Sequence, residues 1–111
     1  MLYLTDAFTP EELEDAGLPV APAKLSSVAK RLRNKEGWQS RIRHQSNADL
    51  ISDLLKMKIE VNEEPLEISS LNTGDIIITF QSAEMTDMLT KKSYVIYSFY
   101  VAVMAEWILM L

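Results

Sequence analysis

A chain of 111 residues, 48% hydrophobic and 24% charged, has the size and balance of one folded domain spanning residues 1–111 and lies well outside the disordered class. It contains no cysteine, which excludes a disulfide framework and a thiolate metal site and points to a reducing compartment. The net charge of −5 disfavours long polyanions such as duplex DNA, but residues 30–45 hold Lys30, Arg31, Arg33, Lys35, Arg41 and Arg43 against Glu36 alone, a local surplus suited to a small anion.

The opening run Met1-Leu2-Tyr3-Leu4 reads as a short strand, and with no basic lead-in it does not read as a signal peptide. Thr9-Pro10-Glu11-Glu12 predicts a helix start, with Thr9 as cap, proline in the first helical position and Glu12 returning the hydrogen bond; Gly17 ends this helix. Residues 18–22 read as a proline-punctuated connection. Ser27 then caps a basic helix through about Asn34, with Val28 and Leu32 on one face, ended by Glu36-Gly37. Residues 38–43 alternate as a half-buried strand does, which places Arg41 and Arg43 together on its polar face.

Ser46 or Asn47 is expected to cap a helix running to about Met57, with the apolar stripe Ala48, Ile51, Leu54 and Leu55, and Asp49 closing a box-like start. Residues 58–61 read as a strand, 62–65 as a turn, and 75–81, after Thr73-Gly74, as a central strand rich in isoleucine. The tail, residues 94–111, approaches the roughly 20 residues of a membrane helix. Ser98 and Glu106 interrupt it, and its Tyr, Val, Ile and Phe suit strands, so no membrane anchor is expected. A long strand from Tyr94 to about Met104 is expected instead, buried on both faces or lying at a subunit interface, with the last residues packed as a cap. The expected fold class is α/β of the α+β kind, a small mixed sheet flanked by helices.

The chemistry centres on His44, the only histidine, inside Ile42-Arg43-His44-Gln45-Ser46-Asn47. A helix N-terminus offers unpaired amide N–H groups and partial positive charge, so a phosphate can bind there with Ser46 and Asn47 as further donors and Arg41 and Arg43 beside them. An imidazole next to that phosphate can give or take a proton near neutral pH. The same residues also fit a simple cap and solvated charged faces. A two-fold dimer would supply a second His44. Glu11, Glu12, Glu14 and Asp15 look like a solvated helix face, not a metal cage, and the three glycines are isolated, so neither a metal, another cofactor nor a phosphate loop is expected. Met85 and Met88 read as core or interface filler.

Two segments carry a family resemblance. Tyr3-Leu4-Thr5-Asp6-Ala7-Phe8-Thr9 resembles the Tyr-Leu-x-Asn-Ala-Phe-Ser opening of the viral ring nucleases, the type III anti-CRISPR enzymes that destroy cyclic tetra-adenylate. Ile42-Arg43-His44-Gln45-Ser46-Asn47-Ala48 is similar to that family's Ile-Gly-His-x-Ser-Thr-Ala segment, and Val61-Asn62, Gly74-Asp75 and Phe80-Gln81 follow its later strands. The resemblance covers most of residues 1–81. It implies a homodimer that binds a cyclic oligoadenylate across its axis, with His44 as general acid on the leaving oxygen while a ribose 2′-hydroxyl attacks phosphorus, without metal, and with Thr9, Ser46 and Asn47 as ligand contacts. Met85 and Met88 stand where the family carries arginine and glutamate, and Arg43 where it carries glycine.

The function expected from these readings is that of a phage- or virus-type anti-defence protein in the host cytoplasm that binds a cyclic oligoadenylate, with cleavage through His44 and binding alone both left open. The alternative is a non-enzymatic inhibitor that blocks a host defence protein with its acidic surface and apolar tail. A small assembly protein with no ligand is a third reading.

Overall fold

The short apolar opening becomes an inner strand of the sheet. In a computed structural model that describes residues 1–34 and 37–104, the elements run β1 (Leu2–Thr5), α1 (Pro10–Asp15), β2 (Val20–Ala23), α2 (Leu25–Asn34), β3 (Gln39–Arg41), α3 (Gln45–Leu55), a 3-10 turn (Ile68–Ser70), β4 (Ile76–Thr86) and β5 (Ser93–Val103). The strands form one sheet in the order β2-β5-β4-β1-β3. β1 runs parallel to β3 and β4, and β5 returns antiparallel to β4 and β2. This is the mixed, helix-flanked α+β sheet that the sequence led one to expect.

Strand alternation sorts the core into two layers. Leu2, Leu4, Ile78, Phe80 and Phe99 face Val28 and Leu32 of α2 and Ala48, Ile51 and Leu55 of α3. Ile77 and Ala102 project to the opposite side, where Leu13 of α1, Leu18 and Leu71 cover them. The α1 start is as expected: the Thr9 hydroxyl accepts from the Glu12 amide at 3.1 Å, and the Thr9 amide donates to the Glu12 carboxylate at 3.2 Å.

Several boundaries differ from the sequence reading, each for a local reason. α2 begins at Leu25, not after Ser27; the Lys24 carbonyl accepts from the Val28 amide, and the earlier start adds Leu25 to the core layer. Residues 18–22 are not only a connection, because Val20–Ala23 pairs with β5 as an edge strand. Pro22, which has no N–H, is tolerated there. β3 is cut to three residues, and residues 58–61 form no strand. A single parallel bridge joins Val61 to Ile42, and the Ser40 hydroxyl donates to the Glu60 carbonyl where a main-chain rung would otherwise lie. α3 starts at Gln45 with His44 in the cap position, not Ser46 or Asn47, and ends two residues before Met57 at a left-handed Lys56. Asp49 closes no capping box and instead accepts from the Gln45 side chain at 2.8 Å.

β4 and β5 outrun the sheet. β1 pairs with β4 only from Ile76 to Thr79, and β2 with β5 only from Phe99 to Ala102, yet the β4–β5 ladder continues to Thr86–Ser93. The outer rows project as a two-stranded arm, and the molecule measures 52 × 28 × 25 Å. Burial of residues 94–104 on both faces therefore holds only for the inner half, where Phe99, Ala102 and Met104 are enclosed, because the buried helix-packed layer ends at Phe80 and Phe99. Among the described residues no helix is long and apolar enough to cross a membrane. Glu106, the C-terminal cap, Lys35 and Glu36 lie outside the described residues.

The arm tip is closed by Asp87, whose carboxylate accepts from the Leu89 and Thr90 amides at 2.8 and 3.4 Å. Those amide bonds lower the Asp87 pKa from 3.8. A depressed carboxylate stabilises the folded turn above its unfolded value and loses that contribution as pH falls through the folded one. The Leu89 amide is therefore expected to stay protected from exchange at neutral pH and to lose protection only below the ordinary aspartate range, a trend readable by NMR. A tip whose exchange ignores acidification would mean that Asp87 does not close it.

Candidate functional site

β1 and β3 end side by side, with Thr5 in register with Arg41, and both chains leave the sheet at the carboxyl ends of parallel strands. Crevices at such ends are where open sheets commonly hold ligands. Here the two departing segments are clamped together by Asp6. Its carboxylate accepts from the Arg43 amide at 2.8 Å, the His44 amide at 3.3 Å and the Asn47 side-chain amide at 2.8 Å. The other end of the Asn47 side chain accepts from the Ser82 hydroxyl at 3.2 Å. One hydrogen-bonded chain thus ties the end of β1, the first turn of α3 and the base of the arm.

This clamp explains the early start of α3. Because Asp6 takes the amides of Arg43 and His44, the backbone is held extended at His44 (φ −111°, ψ 129°) and turns helical at the next residue. Ser46 and Asn47 consequently sit inside the first turn. The His44 side chain makes no cap hydrogen bond and is exposed, so the imidazole stands at the mouth of the helix. The amides of Gln45, Ser46 and Asn47 have no intrahelical acceptor and point the same way.

The remaining residues singled out by sequence lie elsewhere. Arg41 shares the sheet face of Tyr3 and Thr5, opposite to the α3 layer. Its guanidinium meets Glu64 at 2.9 Å, donates to the Gln39 side chain at 2.7 Å and lies 5.6 Å from the Tyr3 ring centre, leaving the side chain 11% exposed. The Arg41 Nε is buried without a hydrogen-bond partner, and at Nη1 the Glu64 contact is an ion pair without hydrogen-bond alignment. Arg43, exposed, lines a small crevice of about 140 Å³ with Arg41, Phe8 and Glu64. Thr9 caps α1, its carbonyl accepting from Leu13. The structure therefore groups His44, Ser46 and Asn47 at the start of α3, ties the Arg43 backbone to them through Asp6, sets the Arg43 side chain beside Arg41 along the crevice with Phe8 and Glu64, and leaves Thr9 at the start of α1.

Asp6 and Ser82 were not singled out as site residues. Asp6 carried a signal: it occupies the asparagine position of the resembled motif, directly after a strand. Ser82 carried none, since only the long β4 brings it to Asn47. Among the described residues, no group of three or more His, Cys, Asp or Glu side chains is placed to hold a metal ion.

No family model matches this sequence, and no curated protein matches it either. Among solved structures the fold is similar to that of B116 of Sulfolobus turreted icosahedral virus, with a TM-score of 0.65 and 15% identity over 92% of this chain and 97% of that one. The likeness concerns the fold alone.

Proposed function

We propose that this chain is a virus-type protein that binds a cyclic oligoadenylate at the mouth of α3 and opens the ring through His44. The observation that carries the reading is the exposed His44 imidazole beside the unpartnered first-turn amides of α3, held there by Asp6. The fold shared with a viral protein supports the virus-type origin, and the motif resemblance supports the ligand. In the reaction a ribose 2′-oxygen bonds to the adjacent phosphorus, the bond to the 5′-oxygen breaks, and the His44 imidazolium protonates that leaving oxygen. The 2′-hydroxyl proton passes to water. The first-turn amides and Arg43 stabilise charge on the phosphoryl oxygens, and the imidazole needs only to be positioned near its working pH.

Incubating the purified protein with labelled cyclic tetra-adenylate in EDTA tests this directly. Appearance of linear products ending in a cyclic phosphate is expected. Binding without cleavage would reduce the function to sequestration. Neither binding nor cleavage would favour the inhibitor reading, which the exposed acidic side chains Glu11, Glu12, Glu14 and Asp15 on α1 support as a contact surface for a host defence protein.

Asp6 has a further consequence for the ligand. Its carboxylate organises the crevice and also opposes an incoming phosphate. In Asp6→Asn, the side-chain oxygen can keep the Arg43 amide and the Asn47 amide can turn round to accept from the new NH2 group, while the longer His44 contact and one negative charge are lost. Tighter binding of cyclic tetra-adenylate, by about 5- to 10-fold for roughly 1 kcal/mol of relieved repulsion, is expected at low salt and less at high salt. Titrations at two ionic strengths check it; weaker binding in both would mean that the carboxylate itself serves the ligand.

A further inference from the structure

The β5 side of the sheet is an edge of two unlike halves. The inner half is closed: β2 pairs with Phe99 to Ala102, and Pro22 in β2, which offers no N–H, blunts the outside of that strand. The outer half is open. From Ser93 to Ser98, β5 has β4 on one side and no described strand on the other. Alternation fixes which main-chain groups stand free. The Met104 N–H donates to the Asp75 carbonyl, and the Lys92 carbonyl accepts from the Asp87 N–H, so the even-numbered residues between them turn to β4. Ser93, Val95 and Tyr97 therefore direct their N–H and C=O groups outward. The run Ser93-Tyr94-Val95-Ile96-Tyr97-Ser98 holds no charge, proline or glycine, and Tyr94, Val95, Ile96 and Tyr97 are exposed. It thus lacks the side chains that commonly guard a sheet edge.

We infer that this open edge takes up an extended segment of another protein as an added strand, with β-branched or aromatic residues at the centre of the segment and acidic residues at both its ends. Charge selects the ends. Inward, the edge stops where Ala23 pairs with Phe99, and the exposed Lys24 follows; outward, it stops at the exposed Lys91 and Lys92 of the tip. None of these lysines has an ion pair among the described residues. Of the nearby carboxylates, Asp87 holds the tip amides and Glu84 lies one strand inside, opposite Val95. Side chains select the centre, because Val95 and Tyr97 flank an added strand on the α3 side of the sheet and Tyr94 and Ile96 flank it on the α1 side. The same charges oppose a second copy in this place. Two such edges paired about a two-fold set Ser93 against Ser98 of the other chain, which brings each Lys91-Lys92 tip onto the Lys24 corner of its neighbour.

The inference is independent of the cyclic oligoadenylate reading, because β4 lies between β5 and the end of β1 that leads into Asp6. The probe is a labelled synthetic peptide with blocked ends, Asp-Glu-Val-Thr-Ile-Thr-Val-Thr-Glu-Asp, titrated against the full chain by fluorescence anisotropy and by NMR. In the free protein the Tyr94 and Ile96 amides are expected to exchange slowly and those of Ser93, Val95 and Tyr97 fast. Saturating peptide is expected to slow the second set by at least about 10-fold. N-methylation of alternate peptide amides is expected to weaken binding by at least about 10-fold in one register and to spare it in the other. Val95→Pro removes an outward amide, leaves the rungs to β4, and is expected to weaken binding as much. Lys24→Glu with Lys91→Glu and Lys92→Glu is expected to reverse the preference, toward the same peptide ended by lysines, and more so at low salt. No saturable binding up to about 1 mM would overturn the inference. So would binding that ignores N-methylation in both registers, unchanged exchange at Ser93, Val95 and Tyr97, or charge reversal without effect. Self-association of the wild type that Val95→Pro abolishes would put a second copy on the edge and overturn it too.

Discussion

Replacing His44 with alanine is expected to slow cleavage of cyclic tetra-adenylate by about 10²- to 10⁴-fold, the usual contribution of a positioned general acid, while binding changes little. The asymmetry follows from geometry. The imidazole makes no cap hydrogen bond and is exposed, so its loss leaves the helix start to Asp6, which holds the backbone amides of Arg43 and His44 and the side chain of Asn47. The groups proposed to bind a phosphate, the first-turn amides, are untouched by the substitution. Single-turnover cleavage with a parallel binding titration separates the two effects. Equal cleavage by wild type and variant would remove the acid role, and loss of binding in the variant would make His44 a ligand contact, not a proton donor.

Phe80→Ala is expected to cost about 3–5 kcal/mol, as removal of a fully buried aromatic ring does. Phe80 is 1% exposed and sits where the sheet passes into the arm, with the Phe99 ring 5.0 Å and the Tyr97 ring 6.3 Å from its own. It belongs to the layer shared by α2 and α3, so a cavity there loosens the surface on which α3 and the His44 crevice rest. Domains of this size are stable by about 5–15 kcal/mol, so the variant is expected to be partly unfolded at warm temperatures. Urea denaturation followed by Trp fluorescence measures the loss. A change below about 1 kcal/mol would mean that Phe80 does not anchor the core.

Clamp and core together show why the crevice is sensitive to distant changes. His44 is oriented by a carboxylate 38 positions earlier in the chain, and that carboxylate is placed by the parallel pairing of β1 with β3. Weakening the sheet therefore disturbs Arg43, His44 and Asn47 together, because one carboxylate holds all three.

How far the sequence alone could go is clear from particular elements. α1 was legible to the residue because Thr9, Pro10 and Glu12 act on neighbouring amides, and no distant group competes with them. The stripe of α3 was legible from periodicity, because burial imposes its spacing wherever one face is covered; the inner part of β4, to Gln81, was legible from its isoleucines and the mixed sheet from the order of elements, whereas the extension of β4 to Thr86 was not. His44 at the entrance to α3 was legible from its position between a basic strand and an apolar helix.

What only the tertiary structure decided involves partners far apart in the chain. The start of α3 was misplaced because its amides answer to Asp6 and not to Ser46 or Asn47. Arg41 was drawn to the opposite face by the register of β3 with β1 and by Glu64, which local spacing does not encode. The proline-broken edge strand β2 has no periodicity of its own and exists because β5 offers it a ladder. The apolar run in β5 signalled burial correctly for Phe99 and Ala102, but an apolar residue in a strand records only that a surface avoids water. Which body covers that surface, the chain's own helices at Phe99 or none of the described residues at Ile96, depends on how far β1, β2 and the helices extend along the ladder.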